Sequence, residues 1–360
     1  MRIVERYPRY LALARGEGVW RFLLPLRLAL AGIYGALGAA RRAALLRRRA
    51  PIGRLVGGRR PFVVSVGNLV AGGGGKTPCV IAIAEEIRAR GGAPAVVSRG
   101  YGGEMEGRGP CAVDGALSGA ELARRFGDEI ALYLSRGIPV VTDAKRRRGA
   151  ELAARLFAPT HVLLDDAYQH HSLEKDLDIL LLDAESPFGD GLLLPAGRLR
   201  EAPGAAGRAD AVIFTRARED RVPAAAERLV AGKPVFFARH EPSHFIRRDG
   251  GREPLSSIAG RDVVLFSGIA RAASFEETVA GLGAKALVSF RFEDHRRYRE
   301  RDAAEIIRAG GAGAIYVTTE KDFAKVVDFF PHDAPLVALA VEMRISGLER
   351  LRALHGLDRE

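Results

Sequence analysis

A glycine-rich stretch followed by a lysine and a threonine has the residue types of a phosphate-binding loop. Gly72, Gly73, Gly74 and Gly75 are consecutive, and Lys76-Thr77 follows them directly. Glycines let backbone N–H groups approach a polyphosphate closely, and the start of a following helix adds partial positive charge. Lys76 would reach the β- and γ-phosphates of a nucleotide, and Thr77 would offer a hydroxyl group to Mg²⁺.

The loop departs from the usual spacing, G-x-x-x-x-G-K-[ST], at its first glycine. That position is Val70, so the loop reads G-G-x-G-K-T. A glycine-rich turn with an incidental Lys-Thr pair is the alternative interpretation. The β-branched run from residue 62 to 66 and the apolar helical pattern from residue 80 to 87 favour a nucleotide site, because strand, loop and helix follow in the required order.

A pair of aspartates closes a second apolar strand. Asp165 and Asp166 follow the run THVLL, which begins at Thr160. A carboxylate at the end of such a strand helps to hold Mg²⁺ in P-loop proteins. A helix cap or a loop salt bridge is the alternative role for Asp165. His170 lies close by, but a single histidine is more often simply hydrogen-bonded.

These residues need a sheet to bring them together. Strands that alternate with helices predict an α/β fold of P-loop NTPase type, with a doubly wound and mainly parallel sheet. Ligands of such sheets bind at the carboxyl ends of the strands. The glycine loop, the segment SRGYGG (residues 98–103) and the aspartate pair all lie at such ends. We expect a kinase domain over residues 51–235 and a smaller α/β domain over residues 236–360.

Composition restricts the class of protein. The 360 residues are 48% hydrophobic and 28% charged, which is typical of a globular protein. Two cysteines, Cys79 and Cys111, indicate no disulfide framework and a reducing compartment. They are also too few for a cysteine-rich zinc site.

Positive charge is concentrated at the N-terminus. Residues 1–60 contain fourteen arginines and no lysine against two glutamates, a net charge of +12, so the other 300 residues sum to −1. A nucleic-acid-binding protein would more often spread this charge over its body. A basic segment beside apolar residues instead favours an anionic membrane surface.

The apolar part of this segment is too short to span a bilayer. The uncharged run from residue 28 to 40 has thirteen residues, whereas a spanning helix needs about 20. Its late start and the arginines after it argue against a signal peptide. We expect residues 1–50 to form an interfacial helical segment, with Trp20, Phe22 and the leucines in lipid. Packing of the helix on the protein body is the alternative.

Several unlinked motifs resemble those of the tetraacyldisaccharide 4′-kinases, the lipid A 4′-kinases of Gram-negative bacteria. From Ser65 to Asp322 they follow in the order SVGNLVAGGGGKTP, SRGYGG, GDE, DDAYQHHSLEKDLDILLLD, FGDGLLLPAGRLRE, EDHRRY and VTTEKD. The basic N-terminus matches the membrane-surface helix of that family. The sequence departs from the family at a few positions, where Gly, Phe, Asn, Pro and His are more common: Ala167, Tyr168, Asp190, Arg198 and Arg296.

The resemblance implies a function and a set of site residues. The expected reaction is Mg²⁺-dependent transfer of phosphate from ATP to the 4′-hydroxyl of a tetraacylated glucosamine disaccharide 1-phosphate. Asp128 of GDE resembles the catalytic base of the family and His295 of EDHRRY its partner, with Lys76 on the phosphates. From sequence alone, Asp128 would instead be a helix N-cap. The substrate-binding residues implied are Arg99, Tyr101, Glu129, Gln169, His170, Arg200 and Glu201, and the metal ligands are Thr77, Asp165 and Asp166.

The expected partners follow from the same resemblance. They are the lipid A disaccharide precursor and the cytoplasmic face of the inner membrane, with no nucleic acid, and the protein is expected to be a monomer. Two other classes remain. One is a P-loop ATPase or GTPase switch acting on a protein partner, although Ala71 replaces the lysine that the dimeric kind has before these glycines. The other is a membrane adaptor, which would leave the carboxylate motifs without a purpose.

Overall fold

The computed structural model describes residues 1–6, 23–53, 60–294, 296–311 and 313–351, which form two compact units. The larger unit contains residues 23–53, 60–115, 133–240 and 343–351, and the smaller unit contains residues 1–6, 116–132 and the described part of 241–342. The strands are β1 (Arg2–Arg6), β2 (Phe62–Asn68), β3 (Pro94–Ser98), β4 (Cys111–Ala112), β5 (Val140–Thr142), β6 (His161–Asp165), β7 (Leu177–Asp183), β8 (Ala211–Thr215), β9 (Val235–Arg247), β10 (Arg252–Glu253), β11 (Asp262–Ser267), β12 (Lys285–Phe292), β13 (Ile315–Thr319) and β14 (Leu336–Ser346). The helices are α1 (Leu24–Leu46), α2 (Lys76–Ala89), α3 (Gly119–Phe126), α4 (Ile130–Ser135), α5 (Arg146–Phe157), α6 (Glu227–Val230), α7 (Ala272–Gly281), α8 (Glu300–Gly310) and α9 (Glu320–Val326). Short 3₁₀ turns occupy Pro203–Arg208, Leu255–Ile258, Val327–Phe329 and Leu348–Arg350.

The sheet of the larger unit has the order β9-β8-β7-β2-β6-β3-β5-β4. Its neighbouring strands are parallel, except that β4 runs antiparallel to β5. Every residue of β2 after Phe62 is buried, which is typical of a parallel strand covered on both faces. The mainly parallel α/β fold predicted from the sequence is therefore confirmed. The order also places β2, which leads into the glycine loop, between β6 and β7.

Apolar residues on the two faces of this sheet form separate cores. Val162 and Leu164 of β6 pack with alanines of α5 in one core, while Leu180 and Leu182 of β7 pack with Phe214 in the other. The two residues named in each strand are two positions apart, because side chains on the same face of a strand alternate along it. The carboxyl ends of the central strands are therefore held on a rigid frame.

The strands of the smaller unit pair in parallel, in the order β1-β12-β11-β13-β14. Along β11, Val264 and Phe266 face one core and Val263 and Leu265 face another. The short strand β10 adds an antiparallel pairing with the end of β9. Strand β1 was not predicted, because residues 2–6 find their partner in β12 (residues 285–292), far away in the sequence.

Some boundaries differ from the sequence expectations. Helix α1 continues through the arginine pair at residues 41–42 to Leu46, because alanine, leucine and arginine are all strong helix formers. Residues 116–132 fall within the predicted 51–235 domain but cluster with the smaller unit, where α3 packs on α9. The division of the chain at residues 50 and 235 stays a prediction. No helix in the described residues has the length and apolarity that crossing a membrane demands.

Candidate functional site

The glycine loop joins β2 to α2 in the larger unit. Gly75 precedes the helix with a φ of 77°, a left-handed conformation that glycine adopts without strain. A Cβ atom on Gly74 would lie 2.6 Å from the side-chain nitrogen of Asn68, so the loop folds back closely onto the end of β2. Thr77 is buried in the first turn of the helix. The strand, loop and helix therefore follow one another as a phosphate-binding loop requires, with the positive end of α2 beside the glycines.

Lys76 lies in a small charged cluster at this rim. Its Nζ atom donates to the carbonyl oxygen of Gly72 at 3.3 Å and lies 3.9 Å from Asp166 Oδ1. Arg200 donates to the same Oδ1 atom at 2.7 Å. Burial alone would raise the pKa of Asp166, but the charges of Lys76 and Arg200 outweigh it and hold the pKa below its usual value. Asp166 is therefore ionised and already paired with cations.

Asp165 is the more buried carboxylate of the pair, with 2% of the residue exposed. It ends β6 directly beside Val66 of β2. Its Oδ2 atom accepts a hydrogen bond from the hydroxyl of Tyr133 at 3.0 Å, and its main-chain carbonyl accepts two from Arg146, at 3.1 and 2.8 Å. These contacts fix the orientation of Asp165 at the strand end.

The residues available for a metal ion are oxygen donors. A cluster of three or more histidine, cysteine, aspartate or glutamate residues that could hold a metal is absent from the described part of the chain. The hydroxyl of Thr77 and the carboxylates of Asp165 and Asp166 are hard donors, which suit Mg²⁺. Mg²⁺ commonly binds through one or two carboxylates together with substrate phosphates and water. The donor set thus fits Mg²⁺ bound together with a nucleotide.

Gln169, His170 and Glu201 are further polar residues of the larger unit. Gln169 Nε2 donates to the main-chain oxygen of Asn68 at 3.1 Å. Burial, assisted by the positive charges of Arg146 and Lys175, lowers the pKa of His170 to about 3, so its imidazole is neutral at pH 7.

Two arginines hold Glu201. Arg42 of α1 donates to it at 2.9 Å and Arg208 at 3.0 Å. Burial would raise the pKa of Glu201, but hydrogen bonds from Arg208, Gln169 and Arg42 keep it below its usual value. The ion pair with Arg42 also ties α1 to this rim.

Arg99 and Tyr101 occupy the loop that follows β3. Arg99 Nε donates to Glu106 Oε1 at 2.6 Å, and 57% of the Arg99 side chain is exposed. Tyr101 is 59% exposed. Both side chains are accessible to a ligand from solvent.

Asp128 and Glu129 lie in the smaller unit, in the turn between α3 and α4. Two lysines of α9 contact Asp128 Oδ2, Lys325 at 2.6 Å and Lys321 at 3.6 Å. Lys321 also donates to Asp294 at 2.8 Å. Burial would lower the pKa of Lys321, but Asp294 and Asp128 raise it above its usual value. The predicted base is thus one member of a compact group of carboxylates and ammonium groups.

His295 lies outside the described residues, so the structure gives no position for the predicted partner of Asp128. The structure brings Lys76, Asp166 and Arg200 together in the larger unit and places Asp128 with two lysines in the smaller one. The joint action of Asp128, His295 and Lys76 in one reaction stays a prediction.

Sequence reasoning missed Lys321 and Lys325 as neighbours of Asp128. Lys321 lies in the motif VTTEKD, and Lys325 lies three residues after its end. Their spacing of four residues places them on one face of a helix, and that was the available signal. What they would contact could not be inferred, because Asp128 is almost two hundred residues earlier in the chain.

Comparison with known proteins identifies the family. Residues 20–355 match the family model of LpxK, described as tetraacyldisaccharide-1-P 4'-kinase. A tetraacyldisaccharide 4'-kinase of Pelobacter propionicus is 42% identical over 283 residues, 77% of this chain and 77% of the relative. One of an Anaeromyxobacter species (strain Fw109-5) is 38% identical over 360 residues, 96% of this chain and 93% of the relative.

A solved structure supports the same assignment. The crystal structure of LpxK from Aquifex aeolicus in complex with ATP has a TM-score of 0.73 and 28% identity, and the match covers 93% of this chain and 98% of that one. The family match spans most of the chain, and both curated relatives exceed 30% identity over more than two thirds of it. The chain therefore belongs to the tetraacyldisaccharide-1-P 4'-kinase family.

Proposed function

We propose that this chain transfers the γ-phosphate of ATP to the 4′-hydroxyl of a tetraacyldisaccharide 1-phosphate, a step of lipid A biosynthesis. Family membership over residues 20–355 carries this proposal. The glycine loop supports the nucleotide half, and the ATP complex of the Aquifex aeolicus relative agrees with it. Membership of a kinase family does not favour the alternative of a switch acting on a protein partner.

The larger unit supplies the phosphate-donor half of the reaction. The loop of Gly72, Gly73, Gly74 and Gly75 cradles the phosphates, and Lys76 neutralises their charge. Thr77 and Asp165 would hold Mg²⁺, with Asp166 kept nearby by Arg200. Mg²⁺, when bound, supplies further neutralisation of charge on the β- and γ-phosphates. Positioning and charge neutralisation supply most of the acceleration in this type of reaction.

The smaller unit supplies the base. Asp128 takes the proton of the sugar hydroxyl as its oxygen bonds to the γ-phosphorus and the bond from phosphorus to the leaving ADP oxygen breaks. Lys325, only 7% exposed in its side chain, holds the carboxylate in place at 2.6 Å. His295 is the proposed partner that would orient or tune Asp128. The residues proposed to bind the acceptor are Arg99, Tyr101, Glu129, Gln169, His170, Arg200 and Glu201.

We propose that helix α1 contacts a membrane surface with the sides that do not pack on the larger unit. One stripe of the helix packs on the larger unit: Arg27 donates to the carbonyls of Pro195 and Ala196, and Ala31 is buried. Gly35, one turn further, comes close to Leu193. The helix therefore packs on the body along small residues.

The other sides of α1 present apolar side chains to solvent. Leu28, Ile33 and Leu37 are 44%, 57% and 66% exposed. Exposed arginines follow at the end of the helix, at positions 41 and 47–49. Leucines that enter the interface and arginines that reach anionic headgroups are the features of an interfacial helix. We place the protein at the cytoplasmic face of the inner membrane, as a monomer; Trp20 and Phe22 lie outside the described residues.

The kinase function is tested with MgATP and tetraacyldisaccharide 1-phosphate in detergent micelles. We expect a bis-phosphorylated product by mass spectrometry. Asp128→Asn should lower kcat at least a hundred-fold, within the range of general-base contributions. Lys76→Met should also lower it, because a charge that neutralises the phosphates is lost. Lys285→Met, at an exposed lysine at the start of β12, should leave kcat unchanged. If this protein formed no product while an active relative, assayed in parallel as a positive control, did, the proposed function would be refuted.

The membrane role is tested with vesicles. We expect co-sedimentation with vesicles rich in phosphatidylglycerol, weaker binding at high salt, and loss of binding in the triple variant Leu28→Ser/Ile33→Ser/Leu37→Ser. Equal binding of the triple variant and the parent would exclude an interfacial role for α1. Light scattering in detergent would show whether the protein is a monomer.

A further inference from the structure

Three successive carbonyl groups at the start of the glycine loop each accept a hydrogen bond from a cationic side chain. The carbonyl of Ala71 accepts from Arg198, through Nε at 3.1 Å and Nη2 at 2.7 Å. The carbonyl of Gly72 accepts from Lys76, and the carbonyl of Gly73 accepts from Arg216 Nη1 at 3.2 Å. Two of these cations, Arg198 and Arg216, come from distant parts of the sequence and had no assigned role.

Peptide geometry gives these contacts a consequence for phosphate binding. In a planar trans peptide the carbonyl and the N–H point in opposite directions. A guanidinium group that holds the Ala71 carbonyl therefore fixes the Gly72 N–H on the far side of the same peptide. Arg216 fixes the Gly74 N–H in the same way. Backbone N–H groups directed away from the carbonyls are the donors that bind phosphate in a loop of this kind.

Arg216 is itself anchored to the sheet. It follows β8 directly, and its Nη2 atom forms an ion pair with Asp183, the last residue of β7. Its φ of 58° is a left-handed conformation that is uncommon for a residue other than glycine. One guanidinium thus connects a strand end next to β2 with the glycine loop. Because β7 pairs directly with β2, the loop is braced against the same sheet that carries it.

Arg198 reaches the loop through a short antiparallel pairing of main chains. The N–H of Ala71 donates to the carbonyl of Arg198 at 2.8 Å, and the N–H of Arg200 donates to the carbonyl of Leu69 at 2.7 Å. The guanidinium of Arg198 lies where a side chain on Gly72 would be, so this arginine also requires the glycine. A proline at position 198 would offer no such donor.

We propose that Arg198 and Arg216 are positioning residues for the phosphate donor, which hold the glycine-loop carbonyls so that the N–H groups of Gly72 and Gly74 face the phosphates. This inference rests on the proposed use of ATP. It extends the proposed function to two side chains outside the glycine motif, and it concerns nucleotide affinity rather than the chemical step.

The test compares Arg198→Met and Arg216→Met with Arg218→Met, whose native side chain is 88% exposed and forms an ion pair with Glu185. We expect the calorimetric Kd for MgATP to rise about ten-fold in each of the first two, equivalent to about 1.4 kcal/mol. At saturating ATP, kcat should stay within about two-fold, and the KM for the lipid acceptor should not change. Arg216→Lys should recover part of the affinity, since a lysine can hold either Gly73 or Asp183 but not both in the fork geometry of arginine.

Other outcomes separate the inference from the function. A purely structural role would lower the melting temperature and the active fraction but leave the Kd of the folded protein unchanged, and this would overturn the inference. An equal rise in Arg218→Met would overturn it as well. If Arg216→Met did not fold, the exposed Arg198 would carry the same test. A parent protein that binds ATP but never phosphorylates the acceptor would refute the proposed function and leave this inference standing.

Discussion

Replacing His170 should change how the stability of the protein depends on pH. The imidazole is half-buried and lies near the positive charges of Arg146, Lys175 and Arg41, whereas Asp166 acts in the opposite direction. The net effect lowers its pKa from the ordinary 6.5 to about 3. The substitution His170→Gln removes the titrating group and keeps a polar side chain of similar reach.

The magnitude follows from proton linkage. The unfolded chain binds a proton at His170 as the pH falls below 6.5, and the folded protein does not until about pH 3. The stabilising contribution of the neutral imidazole is thus complete above pH 6.5 and declines as the pH is lowered. At about 1.4 kcal/mol per unit, the 1.5 units between pH 6.5 and 5 correspond to a loss of about 2 kcal/mol. This is a substantial part of the roughly 5–15 kcal/mol that stabilises a typical domain.

Urea unfolding at pH 7 and pH 5 provides the assay. Between these pH values the parent should lose about 2 kcal/mol more unfolding free energy than His170→Gln, while His332→Gln, at an exposed histidine, should behave like the parent. His171, whose pKa burial lowers to about 4, adds a similar contribution that both proteins share. An NMR titration in which the His170 signal moved with a midpoint near 6.5 would refute the reasoning, whatever the unfolding data showed.

Three further predictions concern other parts of the molecule. Lys325→Met should lower kcat about ten-fold, since charged hydrogen bonds contribute roughly 1.5–3 kcal/mol. The KM for MgATP should change little. Equal kcat values in Lys325→Met and in the exposed control Lys285→Met would contradict the role of Lys325. Cys79 is buried and burial raises the pKa of its thiol, so iodoacetamide at pH 8 should modify the half-buried Cys111 first, as measured by peptide mass spectrometry; faster modification of Cys79 would count against the packing of α2. Gly75→Ala should destabilise the protein by about 1–2 kcal/mol, because the φ of Gly75 is 77° and the new Cβ would lie 3.0 Å from Met343 Cε. Gly53→Ala is the matched control, because nothing lies within 4 Å of a Cβ at that position. Equal melting temperatures for the two variants would contradict this prediction.

Local patterns predicted the frame of the larger unit well. The buried run of β2 and the apolar helical pattern of α2 depend on residues close together in sequence, so their types and spacing were sufficient. The helical pattern predicted over residues 80–87 lies within α2, which runs from Lys76 to Ala89. The N-terminal helix was predicted as well, but its alternatives of lipid contact and packing on the body are not exclusive, because different sides of one helix face the body and solvent.

Contacts between residues that are distant in the sequence could not be predicted from such local patterns. Strand β1 exists only because β12 offers it an edge, and a five-residue basic segment carries no periodicity that would reveal this. Asp166 and Arg200 were both singled out, but their ion pair joins positions 34 residues apart. Whether a carboxylate near a strand end faces a metal or a guanidinium depends on which loops the fold places above it.

The glycine loop shows where the two kinds of information divide. The sequence by itself predicted a phosphate-binding loop after β2, because glycine conformations, a lysine and a helix start are all local properties. Only the tertiary structure revealed that the loop carbonyls of Ala71 and Gly73 are held by Arg198 and Arg216, which lie 127 and 143 residues further along the chain. Local propensity sets the conformations a segment can adopt, whereas contacts with distant side chains select one of them.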